Sequence, residues 1–269
     1  EGELVLAGRV EPRGDGLASR TVFFVQRHGV WQPRADTPAL PLQDPFHTRI
    51  RGERIFGGVQ IHRDVQGQGF ECGWSTPFYR GSCIRALRLF ARGPMNMKDI
   101  RLVELADGRI GVFTRPHDLP DAKARIGFAI LASLDELTED SIRSAPLFDD
   151  QFAPDEWGGA NEPHLLGNGL IGVLGHVSHR DPDGDLHYHA MTFALDPVTR
   201  AKTPIRIIAT RACFPEGAAK EPRLRDVVFS GGLRRNGDGT AWLYAGVGDA
   251  EAHRIRIEDP FLAYERVSP

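Results

Sequence analysis

Short apolar runs recur along this chain, each opened by a glycine. They are Gly2 to Arg9 (GELVLAGR), Gly52 to Val59 (GERIFGGV), Gly108 to Arg115 (GRIGVFTR), Gly169 to His176 (GLIGVLGH) and Gly239 to Gly246 (GTAWLYAG). The opening glycines are 50, 56, 61 and 70 residues apart. Between them lie further strand-like runs at Arg20 to Gln26, Arg85 to Phe90, Arg125 to Leu131 and Tyr188 to Leu195. The runs are short, apolar or alternating, and mostly bounded by turn residues, which is the signature of strands. Asp107-Gly108, Asn168-Gly169 and Asp238-Gly239 predict two-residue hairpin turns, because both central residues can take positive φ. One helical turn is predicted over Ser133 to Ile142, with Ser133 as N-cap and Glu136 three residues on. Hairpins repeated at this period predict an all-β fold, a five-bladed β-propeller, with a sandwich or barrel as the alternative.

No interior linker divides the chain, so residues 1–269 read as one propeller domain. The first blade is expected to be truncated at the N-terminus, because the chain opens at Glu1 inside a strand-like run. Lys and Arg number 33 against 36 Asp and Glu, a net charge of −3. That balance argues against binding nucleic acid through bulk charge. Cys72, Cys83 and Cys213 are an odd number without metal-like spacing, which reads as reduced thiols in a cytoplasmic protein. No run predicts a membrane span or a signal peptide, so no membrane partner is expected.

The residues flanking each turn carry the chemistry. Lys98 and Asp99 precede the turn at Gly108, and Arg115 follows it. Antiparallel pairing brings these three together at the open end of the hairpin. Two cations beside one carboxylate suit an anion such as phosphate, while a solvated ion-pair cluster is the common alternative. In the other repeats the same positions hold Arg9 and Glu11, Asp44, Glu162 and His176, and Asp226 and Asp249. A face that mixes carboxylates and cations suits carbohydrate chemistry. His176, His179, His187 and His189 could alternatively form a metal site, since His187 and His189 share a strand face. A solvated cluster is the commoner outcome, and no metal is expected.

At these residues the chain resembles the β-mannoside phosphorylases and mannosidases of glycoside hydrolase family 130. It is closer still to the β-1,2-mannosyltransferases/phosphorylases of glycosyltransferase family 108. The resemblance runs through Ala7 to Arg13, Gln43 to Phe46, Met97 to Arg101, Val112 to Pro116, Gly159 to Glu162, Gly175-His176, Val227 to Gly232 and Gly248-Asp249. It implies a five-bladed propeller and an inverting reaction on β-1,2-linked mannosides that releases mannose 1-phosphate. Asp44 would be the catalytic acid. Lys98, Arg115, His176 and Tyr188 would bind phosphate, and Arg9, Glu11, Asp99, Glu162, Asp226 and Asp249 the sugar. Phosphate would be a co-substrate, with no cofactor and no metal. The partners implied are a β-mannoside oligosaccharide and phosphate, and a homo-oligomer is left open. The chain departs from the family pattern at Phe46, where the family has Arg, and at Asn96 to Asp99, which matches only with one inserted residue or with Met97 in the Asn place. A β-mannoside hydrolase and a non-catalytic sugar-binding propeller are the alternatives.

Overall fold

The computed structural model describes residues 3–12, 14–63, 71–117 and 124–266. Gly2, Arg13 and the side chain of Cys72 lie outside the described residues. The chain is all-β with two short α-helices among these residues. It forms two compact units.

The first unit comprises Glu1–Lys98 and Asp135–Arg143. Strands β1 (Val5–Val10), β2 (Arg20–Arg27) and β3 (Val30–Pro33) form one antiparallel sheet. Strands β4 (Gln43–Ile50), β5 (Glu53–Arg63), β6 (Glu71–Ser75), β7 (Pro77–Gly81) and β8 (Arg88–Arg92) form another, in the order β4-β5-β7-β8 with β6 also paired to β5. Strand β2 alternates as its sequence requires, burying Thr21, Phe23 and Val25. Phe23, Leu42 and Phe56 form the centre of one cluster, and Phe46 packs edge-on against Phe78.

The second unit comprises Asp99–Leu134 and Ser144–Pro269. It contains a sheet of β9 (Arg101–Glu104), β10 (Ile110–Thr114) and β11 (Gly127–Leu131). Helix α1 (Glu139–Arg143) lies in the segment assigned to the first unit. Then follow β12 (Glu156–Leu165), β13 (Ile171–Arg180), β14 (Leu186–Leu195) and β15 (Arg206–Ala209). Strands β16 (Asp226–Arg235), β17 (Thr240–Val247) and β18 (Glu251–Glu258) precede helix α2 (Leu262–Glu265). A short parallel pairing of His187 with Asp226 and Tyr188 with Val227 joins β14 to β16, so these strands make one seven-stranded sheet. Leu174, Ala190, Leu243, Val247 and Phe261 lie in one core cluster, and Phe113, Phe128 and Phe193 in a second.

Three sequence expectations are corrected. At Asp107-Gly108, Asn168-Gly169 and Asp238-Gly239 only the glycine has positive φ, at 79°, 86° and 86°. The preceding Asp or Asn side chain instead accepts from the backbone N–H two residues on: Arg109, Leu170 and Thr240 at 3.0, 3.3 and 3.0 Å. That Asx bond holds the Asp or Asn at negative φ, so the turn widens. The true two-residue turns with both φ positive are His28-Gly29 and Arg51-Gly52. The run Arg85 to Phe90 begins as a 3-10 turn at Ile84–Ala86, closed by Ala86 N–H to the Cys83 carbonyl, and becomes a strand only at Arg88. The predicted helical turn is split into a 3-10 turn at Leu134–Glu136 and α1. Thr138 rather than Ser133 caps α1, its Oγ1 accepting from Ser141 N–H at 3.2 Å.

Strands β4, β12 and β16 share one irregularity. Their registers break between Gln43 and Phe46, Ala160 and Glu162, and Ser230 and Gly232. Asp44, Asn161 and Gly231 stand within these bulges, each eight residues before the glycine of its own turn. A bulge re-aims the side chains beside it. Among the described residues no helix is long and apolar enough to cross a membrane.

Candidate active site

In the first unit the bulge of β4 carries Asp44 with φ at 47°. A left-handed backbone is uncommon outside glycine and costs about 1–2 kcal/mol, although Asp tolerates it better than most residues. Arg9 Nη1 lies 3.9 Å from Asp44 Oδ1, while Arg9 Nη2 pairs with Glu11 Oε2 at 2.6 Å. Ser19 ties this group together. Its hydroxyl lies 3.0 Å from Glu11 Oε2 and accepts from Arg9 Nε at 3.2 Å. Gln43 Nε2 donates to the Gly16 carbonyl at 2.9 Å. Arg9, Glu11 and Asp44 therefore come together, and Ser19 is a member that spacing alone did not reveal. Lys98 sits with its ammonium 6.0 Å from the Trp74 ring centre. Phe46, the departure from the family pattern, points into the core. A Cβ on Gly57 would lie 2.4 Å from its ring.

In the second unit Asp99, Arg115 and His176 converge. Asp99 Oδ2 accepts from Arg115 Nη1 at 2.8 Å, and Asp99 Oδ1 lies 3.6 Å from Arg101 Nη2. The three charged residues are 1%, 3% and 3% exposed, so this is a buried network of two guanidiniums around one carboxylate. Arg115 Nε donates to the Gly158 carbonyl at 2.7 Å, and Nη1 also lies 3.0 Å from His117 Nε2. Among the described residues Arg115 Nη2 makes no hydrogen bond. Gly159 marks the meeting point. A Cβ there would stand 2.7 Å from Asp99 Oδ2, 2.9 Å from Arg115 Cδ and 2.9 Å from His176 Cε1. Asp99, like Asp44, has a left-handed backbone, with φ at 55°.

His176, on β13, stacks against Tyr188 of β14 at 5.6 Å and an interplanar angle of 15°, and its ring centre lies 5.0 Å from that of Phe229 of β16, tilted by 40°. Its Nδ1 lies 2.8 Å from Asn161 Oδ1. Tyr188 thus reaches the cluster through its ring.

The remaining predicted residues have their own partners. Glu162 Oε2 accepts from Leu233 N–H at 2.6 Å and lies 3.0 Å from His164 Nε2. Asp226 Oδ2 lies 2.7 Å from His187 Nδ1, whose Nε2 lies 3.2 Å from Asp181 Oδ2. These bonds, that to Asp226 above all, raise the His187 pKa above its ordinary value. Asp249 has φ at 52°, and Lys220 Nζ lies 3.4 Å from its Oδ2. Lys220 comes from an irregular loop and carries no sequence signal. Arg101 had no assigned role either, because one cation in a strand reads as a solvent-facing residue. Among the described residues no three His, Cys, Asp or Glu are gathered as a metal would require.

Residues 1–263 match the family model described as "Protein of unknown function (DUF1861)". No curated protein matches the chain. Among solved structures, MPT-4, a mannose phosphorylase from Leishmania mexicana in complex with phosphate ion, is 37% identical with a TM-score of 0.90; the match covers 98% of this chain and 82% of that one. MPT-1, a GDP-Man-dependent mannosyltransferase from the same organism, is 38% identical with a TM-score of 0.88, covering 99% of this chain and 84% of that one. The endo-arabinase of Bacteroides thetaiotaomicron is 12% identical with a TM-score of 0.52, covering 94% and 88%, and shares the fold alone.

Proposed function

Since the chain belongs to the DUF1861 family and shares more than a third of its residues with a mannose phosphorylase and a mannosyltransferase over nearly its full length, we propose that it is an enzyme of mannoside phosphorolysis and synthesis. The reaction proposed is inverting cleavage of β-1,2-linked mannosides by inorganic phosphate, giving mannose 1-phosphate. The five successive strand groups are taken as five propeller blades in a single domain.

The observation that carries this reading is the similarity to a phosphorylase solved with phosphate, together with the buried cationic cluster of the second unit. In the Asp99, Arg101 and Arg115 pairs, positive charge outnumbers negative. A phosphate oxyanion beside Arg115 and His176 would meet cationic donors in a site where water screens little. Lys98, next to Asp99 in the chain, and Tyr188 are proposed to complete the phosphate contacts. Asp44 is the proposed proton donor. It protonates the glycosidic oxygen as the bond to the anomeric carbon breaks and phosphate oxygen bonds to that carbon from the opposite face. Phosphate is itself the nucleophile, so a second carboxylate base is unnecessary. Arg9, Glu11, Asp99, Glu162, Asp226 and Asp249 are proposed to hold sugar directly or to orient groups that do.

A second reading, transfer from GDP-mannose, is favoured by the equally similar mannosyltransferase. One assay tests both. The protein is incubated with β-1,2-mannobiose with and without phosphate, and with GDP-mannose plus a mannose acceptor. Mannose 1-phosphate formed only with phosphate is expected, and Asp44→Asn should abolish it while the protein stays folded. Free mannose without phosphate would replace phosphorolysis by hydrolysis. Binding without turnover in any arm would leave a sugar-binding protein.

A further inference from the structure

The rings of Tyr188 and Phe229 pack near His176 but do not set which nitrogen carries the proton. The amide of Asn161 does that. Its Oδ1 lies 2.8 Å from His176 Nδ1. A carbonyl oxygen only accepts, so Nδ1 must carry the proton, and Nε2 holds the lone pair in the neutral ring.

Asn161 is itself held firmly. It occupies the bulge of β12 and is 4% exposed. Its backbone carbonyl accepts from Arg101 Nε at 2.8 Å, which links it to the guanidinium that also faces Asp99. Ser230 of β16, fully buried, places its hydroxyl 3.4 Å from Asn161 Oδ1 and donates to the Gly175 carbonyl at 2.8 Å. The bulge matters here, since it displaces Asn161 from the register that pairs Ala160 with Gly175 and Glu162 with Leu174.

We infer that Asn161 is a positioning residue of the anion site, holding the His176 imidazole with its proton on Nδ1 so that a bound oxyanion meets Nε2. This rests on the reading in which His176 binds phosphate. The neutral ring then accepts a hydrogen bond from a protonated phosphate oxygen, and the imidazolium donates one to a charged oxygen. Among the described residues, the titratable and charged groups that face the ring include Asp99 and Arg115, which meet it at Gly159, and Tyr188, stacked on it. Asn161 is the amide that decides which edge of the ring is presented.

The test uses inorganic phosphate as ligand and needs no sugar substrate. In the wild-type protein, nitrogen-15 NMR of labelled histidines, with His176 identified by its absence in His176→Ala, should show the His176 proton on Nδ1. By calorimetry, Asn161→Ala should weaken phosphate binding about tenfold or more, as loss of an orienting partner typically does. Asn161→Asp keeps the acceptor, so it should restore most of the affinity. Its added charge favours the imidazolium and should move the alkaline limb of phosphate binding to higher pH. A merely structural role would impair both variants alike and leave that limb in place. A proton found on Nε2 in the wild type, or Asn161→Asp as weak as Asn161→Ala, overturns the inference. If His176→Ala binds phosphate as well as the wild type does, the phosphate reading of His176 fails and this inference falls with it. If only His176→Ala is impaired, the role of Asn161 alone is lost.

Discussion

Arg115 and Asp99 form an ion pair, Nη1 to Oδ2 at 2.8 Å, in a place that solvent scarcely reaches. Removing one member of such a pair leaves the other charge buried and uncompensated, which typically costs about 3–5 kcal/mol. Asp99→Asn isolates that charge term, because Asn tolerates the left-handed backbone that Asp99 adopts at φ 55°. The variant should lose about 3 kcal/mol or more of unfolding free energy in a urea titration. A loss under about 1 kcal/mol, the range of exposed pairs, would show that the pair is effectively solvated.

Gly159 is the point where Asp99, Arg115 and His176 meet, each within 2.9 Å of where a Cβ would stand. Gly159→Ala must push at least one of them aside. Overpacking of this kind costs about 1–3 kcal/mol of stability. Misplacing a catalytic group by about 1 Å can cost roughly 100-fold in rate. Phosphorolysis should therefore fall far more than stability does. Gly246→Ala is the control, because its nearest neighbour there is the Phe229 carbonyl at 4.0 Å. Equal activity in the two variants would dissociate Gly159 from the site.

The strand content and the polar clusters at hairpin ends were legible because both follow from local rules. Apolar runs with turn residues between them specify strands, and their offset from each turn glycine located Asp44, Glu162, Arg115 and His176. What the offset could not show is how each group is satisfied. Position groups Asp99 with Lys98 and Arg115, and the fold buries it as the counter-ion of Arg115 and Arg101. Asp226 looks like a free carboxylate, but a parallel pairing between β14 and β16, remote in sequence, hands it to His187. Lys220 was invisible, because nothing in a loop sequence says that it will reach Asp249. The turn types were misread because Asx bonding competes locally with the type I′ geometry.

Phe46 stands where the sequence resemblance leads one to expect an Arg, and packing accounts for the aromatic side chain. The side chain is 7% exposed, lies edge-on to Phe78 and covers Gly57, where no Cβ would fit. Phe46→Arg would place a charge in this core with no space to relax. It should destabilise the protein by about 3 kcal/mol or more. Phe46→Leu, which keeps an apolar side chain, should cost roughly 1–2 kcal/mol. Thermal melts of both variants check this. An arginine tolerated at wild-type stability would mean that the position opens onto solvent or ligand.

His187 is clamped by Asp226 at 2.7 Å and Asp181 at 3.2 Å, with His179 stacked on it at 4.6 Å. The two carboxylates raise its pKa above the ordinary 6.5, the bond to Asp226 contributing most, and burial opposes them. The bond to His187 is in turn the main cause that lowers the Asp181 pKa. A folded-state pKa above the unfolded one means that the native state holds the proton more tightly. The stabilisation is therefore complete below about pH 6.5 and is lost as pH rises through the raised value. The effect should be visible as a melting temperature that falls as pH rises above about 6.5. His187→Gln has no proton to lose and should flatten that slope, while melting lower than the wild type near pH 6. Since both partners are partly solvent-exposed, added salt should weaken the difference. A wild-type melting temperature that rises over this window relative to His187→Gln would mean that the imidazole is bound neutral, and that the clamp works through its hydrogen bonds alone.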